Sequence, residues 1–302
     1  MKRRDFLTAP ALLAGSALAL HASTSTAEEA ASASDGSSGQ PSNSATRVHQ
    51  SVMGWCFEPM DAVTLAQHGR RMGLEAIEGI GADHYDAVTK LGLKISLTAS
   101  HGFATGPVDP SNHPEVQQKL RAGIDLAAKY GAPNVITFTG MAKKGINDAA
   151  ARRNCLECWK GVLSYAEDKG VGIVLEHLNT RDDSHPMKGH PGYWGDDLHQ
   201  CAELVTAMDS PKFKLLFDIY HVQIMNGDLI RNIRDYHPIV GHYHTAGNPG
   251  RGELNEHQEI NYPAVIRAIV DTGYQGYIAQ EFLPTSDNPM KSLEQAVQLC
   301  NV

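Results

Sequence analysis

Eight short runs rich in Val, Ile, Leu and Phe recur along the chain, each closing on polar or glycine residues. They are His49–Phe57, Leu74–Ile80, Leu93–Ser100, Asn134–Gly140, Gly172–His177, Phe213–Tyr220, Ile239–Ala246 and Gly276–Phe282. Most lack a strict apolar–polar alternation, as expected of strands covered on both faces. Between the runs lie stretches whose apolar positions return every three or four residues, among them Asp61–Met72, His113–Tyr130, Asp148–Lys169, Leu198–Met208 and Tyr262–Thr272. That spacing is the signature of amphipathic helices. Strand then helix, eight times over, predicts an all-parallel sheet.

From Arg47 to Val302 the chain has 256 residues (302 − 46), about 32 per repeat, which suits one closed (β/α)8 TIM barrel as a single catalytic domain. No glycine-rich nucleotide fingerprint follows any of the runs, which argues against an open doubly wound sheet. Two connections are long. Leu178–Asp197, after the fifth run, carries His185, Pro186, Gly189, His190, Pro191 and Gly192, and Gly247–Asn261 follows the seventh. Loops of that length at the C-terminal ends of barrel strands are expected to cover an active site.

The first 46 residues break the pattern. Lys2, Arg3 and Arg4 precede an apolar stretch, Ala9 to Leu20, that is too short to span a bilayer comfortably. Residues 1–22 therefore read as an export signal, and the Arg3-Arg4-Asp5-Phe6-Leu7 run resembles a twin-arginine signal. An ordinary secretory signal would give the same destination, the periplasm or another exported location, with no stable membrane insertion after removal. Cleavage is expected near Ala22 or Ala27, and N-terminal sequencing that begins at Met1 would contradict it. Residues 23–46, mostly Ser, Ala, Thr and Gly, are expected to form a disordered linker, because they offer almost no large apolar surface to bury.

A formal net charge of −8, with no basic stripe, argues against nucleic acid or an anionic membrane as partner. The five cysteines, Cys56, Cys155, Cys158, Cys201 and Cys300, are irregularly spaced and do not form a disulfide pattern. Cys155 and Cys158 make a C-x-x-C, but it falls mid-helix, where no helix N-terminus stabilises a thiolate.

The candidate chemistry lies at four strand ends. Glu176, Asp218 and Glu281 each close an almost wholly apolar run, and the seventh run places His242 and His244 on one face. Unpaired buried carboxylates are costly, so something must balance them. The separations Glu176 to Asp218, Asp218 to His244 and His244 to Glu281 are 42, 26 and 37 residues, about one strand–helix repeat each. Four ligands from four successive strands would therefore meet at one rim, a donor set suited to Mn2+, Mg2+ or Co2+. A strand-end acid taken singly is more often a helix cap. His101, at the end of the third run, and Trp55, at the end of the first, are candidate substrate contacts. Glu78 is expected as an interior ion-pair member, His242 as a neutral core histidine one layer below His244, and His177 as packed outside the lumen.

Several segments resemble the hydroxypyruvate isomerase family: Val174-Leu175-Glu176-His177-Leu178-Asn179-Thr180-Arg181-Asp182, Phe217-Asp218-Ile219-Tyr220-His221, Gly241-His242-Tyr243-His244-Thr245-Ala246, Asn248-Pro249-Gly250-Arg251 and Glu259-Ile260-Asn261-Tyr262. That family belongs to the xylose-isomerase-like barrels, which also include ketose 3-epimerases and endonuclease-IV-type enzymes. The resemblance implies a metal held by Glu176, Asp218, His244 and Glu281, with Glu176 and Glu281 as the proton-transferring pair. It also implies substrate contacts from His221, Arg251 and, in the proximal loop, Asp182. His244 stands where hydroxypyruvate isomerases usually carry Gln and ketose epimerases carry His. After Arg181-Asp182 the chain carries an insertion before Pro191-Gly192-Tyr193, so the family pattern supports no contact from His185 or His190.

These residues suit isomerisation of a small hydroxy-keto or aldehyde sugar or sugar acid through an enediolate, with one carboxylate removing the proton and another returning it. The same step serves a ketose 3-epimerase, or a lyase or hydrolase of 3-keto-glycosides. A sugar-binding protein without catalysis would have little use for two opposed glutamates, and a metal nuclease would need a basic groove. Self-association is left open.

Overall fold

The computed structural model describes residues 48–302; the expected export signal and the whole of the linker lie outside them. Nine parallel strands form one sheet: β1 (His49–Met53), β2 (Ala76–Glu78), β3 (Lys94–Ile95), β4 (Leu97–Thr98), β5 (Asn134–Thr137), β6 (Gly172–Glu176), β7 (Phe213–Asp218), β8 (Val240–Thr245) and β9 (Tyr277–Gln280). The order is β3-β2-β1-β9-β8-β7-β6-β5-β4. The two edges of that order are consecutive pieces of one chain segment. Only Ser96 separates β3, which pairs with β2, from β4, which pairs with β5. The third expected strand is thus divided, and the barrel has eight staves with a break in the third.

Helices surround the sheet: α1 (Ala62–Met72), α2 (Tyr85–Lys90), α3 (His113–Tyr130), α4 (Asp148–Asp168), α5 (Leu198–Ala207), α6 (Ile219–Met225), α7 (Leu229–Tyr236), α8 (Tyr262–Asp271) and α9 (Pro289–Leu299). Short polar side chains start most of the longer ones. Asp61 accepts from the backbone N–H groups of Val63 and Thr64, Asn147 from Ala150, and Asp197 from Gln200. Gly73, with φ 90°, closes α1 in the left-handed conformation that glycine tolerates.

Two apolar regions follow from the parallel sheet. Trp159, Phe213, Leu120, Ile124 and Val162 belong to the large core outside the strands, and the Trp159 indole N–H donates to Thr137 Oγ1 at 3.0 Å. Inside the lumen a small cluster of Leu97, Val174 and Leu216 fills the barrel. Val174 and Leu216 lie two residues before Glu176 and Asp218, hence on the same strand face and one layer deeper. The floor directly beneath Glu176 and Asp218 is therefore apolar.

Several expected strands run short at their C-terminal ends. Gly54–Phe57 form a 3-10 turn, and Ile219–Tyr220 begin α6 because the Asp218 carboxylate caps that helix. No helix among the described residues is long and apolar enough to cross a membrane.

Candidate metal centre

The structure brings Glu176, Asp218, His244 and Glu281 together, each offering a ligand atom within 4.8 Å of the others. Strand register does part of this: Asp218 on β7 lies opposite His244 on β8, and Glu281, just past β9, donates its backbone N–H to Thr245 at 2.9 Å. Glu176 ends β6, where Tyr193 ties its backbone carbonyl to the adjoining stave: the phenol donates to Glu176 O at 2.9 Å and accepts from the N–H of Thr139 at 2.8 Å.

Asp218 does two jobs with two oxygens. Oδ1 accepts from the backbone N–H groups of Tyr220 (2.7 Å) and His221 (3.1 Å), which caps α6. Oδ2 faces the cluster, 3.3 Å from Arg251 Nη2. The cap that a strand-end acid commonly makes thus coexists here with a place in the cluster.

Three of the four donor atoms make no aligned hydrogen bond. His244 Nδ1 stands 2.8 Å from Glu281 Oε2 and 3.4 Å from Glu176 Oε1, yet none of these three buried atoms makes an aligned hydrogen bond. Atoms that converge without bonding one another are what a shared cation would satisfy, and three oxygens with one imidazole nitrogen suit a hard or borderline divalent ion. Charge leads to the same place. Three buried carboxylates face a single guanidinium, Arg251, whose Nη2 lies 2.6 Å from Glu281 Oε2. The residues present fit a divalent cation.

The titration behaviour reflects this crowding. Burial pushes Asp218 up to about 7, with Arg251 opposing and Glu281 and Glu176 adding to the rise. Burial likewise raises Glu176, with His244 opposing and Glu281 adding. For Glu281 burial is outweighed by Arg251 and His244, which hold it down at about 2. Burial disfavours a charged His244, but Glu281, Glu176 and Glu78 around it raise the ring well above the usual histidine range.

Above the cluster opens a cavity of about 280 Å3. Glu176, His244, Glu281 and Arg251 line one side; Trp55, Leu97, Phe103, Ile136, Phe138 and Met187 give most of the rest an apolar character. Trp55 lies under the guanidinium of Arg251, 5.5 Å from ring centroid to Cζ. His101 also lines the cavity, but both its nitrogens are engaged, Nδ1 with Thr105 O at 2.8 Å and Nε2 with Thr137 Oγ1 at 2.9 Å. Arg251 sits at φ +54°, an uncommon conformation for a side chain of its size, in a tight loop closed by Gly247 N–H to Gly252 O at 2.8 Å.

Two expected substrate contacts stand outside the cavity lining. His221 is buried behind Asp218; its Nδ1 accepts from the Asn179 backbone N–H at 3.2 Å, which places its proton on Nε2, 3.5 Å from Asp218 Oδ2. Asp182 instead organises the long loop, accepting from Ser184 N–H at 2.9 Å and from the Tyr220 phenol at 3.2 Å. The inserted segment, in turn, supplies residues for which the family pattern gave no warrant. Met187 and His190 line the cavity, His190 packs on Phe103 with centroids 4.1 Å apart, and Met187 O accepts from Arg251 Nη1 at 2.5 Å. His185 is exposed. His177, as expected, lies outside the cavity lining, buried beside Phe217, where burial takes its ring down to about 4.

A sequence profile described as the xylose isomerase-like TIM barrel matches residues 61–300. The chain belongs to that family. Among curated relatives, a human protein named a putative hydroxypyruvate isomerase is 34% identical over 185 residues, covering 58% of this chain and 64% of its own length. A 2-oxo-tetronate isomerase of Pectobacterium atrosepticum is 30% identical, covering 64% of this chain and 73% of its own. The match thus spans slightly under two thirds of the human relative. Among solved structures, a 3-keto-D-glucoside 4-epimerase from E. coli superposes with a TM-score of 0.71 at 15% identity, over 84% of this chain and 99% of that one. A D-psicose 3-epimerase from Clostridium cellulolyticum H10 gives 0.67 at 16% identity, over 83% and 96%. At those identities the likeness is one of fold.

Proposed function

We propose that the protein is a divalent-metal-dependent isomerase of a small hydroxy-keto or aldehyde sugar or sugar acid. The observation that carries this reading is the convergence of Glu176 and Glu281, three staves apart, on donor atoms that lack aligned hydrogen-bond partners beneath an open cavity. The relatives named as hydroxypyruvate and 2-oxo-tetronate isomerases support the same class of substrate.

Glu176, Asp218, His244 and Glu281 would hold the cation; when bound, it supplies positive charge where negative charge develops on the substrate oxygens flanking the reacting carbon. The protein's own groups move the proton. Glu176, whose carboxylate burial makes more basic, accepts it at Oε2, the oxygen left over when Oε1 faces the cation. Glu281, held ionised by Arg251, faces it across His244; it takes the substrate's hydroxyl proton and delivers it to the neighbouring carbon, while Glu176 returns its own proton to the former carbonyl oxygen. Return to the other face of the same carbon would be epimerisation. The apolar wall of Trp55, Phe103 and Phe138 favours this second reading, epimerisation of a neutral ketose or processing of a 3-keto-glycoside, since C–H faces of sugars pack on aromatic rings.

Proton NMR in D2O tests the proposal, with Mn2+ or Mg2+ supplied and hydroxypyruvate, 2-oxo-tetronate, D-tagatose and a phenyl 3-keto-glucoside as substrates. Cation-dependent deuterium incorporation beside the carbonyl, lost in Glu176→Gln and Glu281→Gln variants with native circular dichroism, is expected. Wild-type-like exchange in either variant removes its proton role, and phenol release at unchanged sugar stereochemistry replaces the isomerase with a lyase.

A further inference from the structure

One buried carboxylate belongs neither to the proposed cation ligands nor to the proton chemistry above. Glu78, the last residue of β2, is fully buried beneath the cluster. Its Oε1 lies 2.9 Å from His244 Nε2, and its Oε2 lies 3.0 Å from His242 Nε2. Oε2 also accepts from Ser96 Oγ at 2.5 Å, and that hydroxyl lies 2.6 Å from Ser51 Oγ. Ser96 is the residue that divides the third stave, and at that break its hydroxyl meets Glu78.

An ionised carboxylate only accepts hydrogen bonds. The Glu78 oxygens face two ring nitrogens at 2.9–3.2 Å and one of them also accepts the Ser96 hydroxyl, so the carboxylate meets donors on every side. Each ring nitrogen that faces Glu78 must therefore carry a hydrogen. A neutral His244 with its hydrogen on Nε2 has its lone pair on Nδ1, the atom 2.8 Å from Glu281 Oε2 and 3.4 Å from Glu176 Oε1. Glu78, His242 and His244 could by position form a cation site of their own. Their facing atoms are already paired with one another at 2.9–3.2 Å, so this group is satisfied from within.

We propose that Glu78 is a positioning residue: it fixes the His244 tautomer and aims Nδ1 at the point shared by Glu176, Asp218 and Glu281. It touches no substrate. The inference rests on the divalent-cation reading of the cluster. Outer carboxylates that orient metal-bound histidines typically change metal affinity 10- to 100-fold when removed.

The test is Mn2+ binding to the full-length protein, read as free Mn2+ by electron paramagnetic resonance. Glu78→Gln keeps the shape but presents an NH2 group that must oppose one of three donors. Its Mn2+ Kd should rise about 10- to 100-fold while circular dichroism stays native. His242→Gln, which leaves the Glu78–His244 contact in place, should change Kd by less than about threefold, whereas a merely structural Glu78 would leave affinity per folded molecule unmoved in both. Equal Kd for wild type and Glu78→Gln overturns the proposal; a wild type that binds no Mn2+ overturns the cation reading itself. Should Glu78→Gln fail to fold, 15N spectra of histidine-labelled, Mg2+-loaded wild type decide the matter. A hydrogen on His244 Nε2 is expected, and a hydrogen on Nδ1 refutes it.

Discussion

Replacing Arg251 with Met removes the sole Lys or Arg among the described residues lining the cavity, while keeping much of its bulk. Its Nη2 lies 2.6 Å from Glu281 Oε2 and 3.3 Å from Asp218 Oδ2, and the side chain is buried. Glu281 is brought down from 4.5 to about 2, burial being outweighed by Arg251 first and His244 second. Against an ordinary carboxylate that difference corresponds to roughly 3 kcal/mol, in the range of about 3–5 kcal/mol for breaking one side of a buried pair. The cation-free Arg251→Met variant should therefore lose about 3 kcal/mol at pH 7, measured by urea unfolding in EDTA. The sign with pH follows from Glu281. Its folded value is depressed, so its contribution is complete above its unfolded value and is lost as pH falls toward about 2. Without Arg251 the carboxyl moves upward and is relieved by protonation on acidification. The gap between variant and wild type should thus be widest near neutrality and narrow by pH 4. Saturating Mn2+, bringing positive charge of its own, should recover part of the loss. A variant within about 1 kcal/mol of wild type at pH 7, or a gap that widens on acidification, refutes the electrostatic account.

Two other outcomes are expected. In the cation-free protein His244 is protonated by its carboxylate surroundings and burial holds Asp218 up to about 7, so both must lose protons on ligating. Mn2+ binding at pH 7 should release about one to two protons, seen as calorimetric heats that scale with buffer ionisation enthalpy; buffer-independent heats would contradict it. In the inserted loop, a Cβ at Gly189 would stand 2.1 Å from Asp182 O and 2.5 Å from Asn179 Oδ1. Gly189→Ala should displace Met187 and His190 from the cavity, raising KM several-fold and admitting protease cleavage within 183–189, with unchanged cleavage and KM counting against a covering role.

Barrel and cluster were legible in the sequence for a common reason. Parallel strands covered on both faces must be apolar throughout, so an acid closing such a run, as in Ile173-Val174-Leu175-Glu176, is conspicuous. Helix periodicity recovered α3 to the residue and α4 within one. What could not be read depends on contacts distant in sequence. Ser96 looks like any polar residue within a strand until Glu78, on a neighbouring stave, meets its hydroxyl. Ile219 and Tyr220 look like strand because their apolar character serves α6 equally well, and only the Asp218 cap decides. Met187 and His190 lie in an insertion for which neither periodicity nor resemblance gives a position; Asn179, donating to Lys188 O at 2.8 Å and accepting the His190 N–H at 2.7 Å, folds that insertion over the cavity.

Asp218 spends one oxygen starting α6 and turns the other toward the cluster. The two duties cannot be inherited separately. An asparagine could still begin the helix but would bring no charge, while a glutamate would carry the charge on a longer arm that no longer reaches both backbone amides. Drift at this position is thereby narrowed from two directions at once, and a chain that abandoned the chemistry would still have a folding reason to retain a short polar residue here.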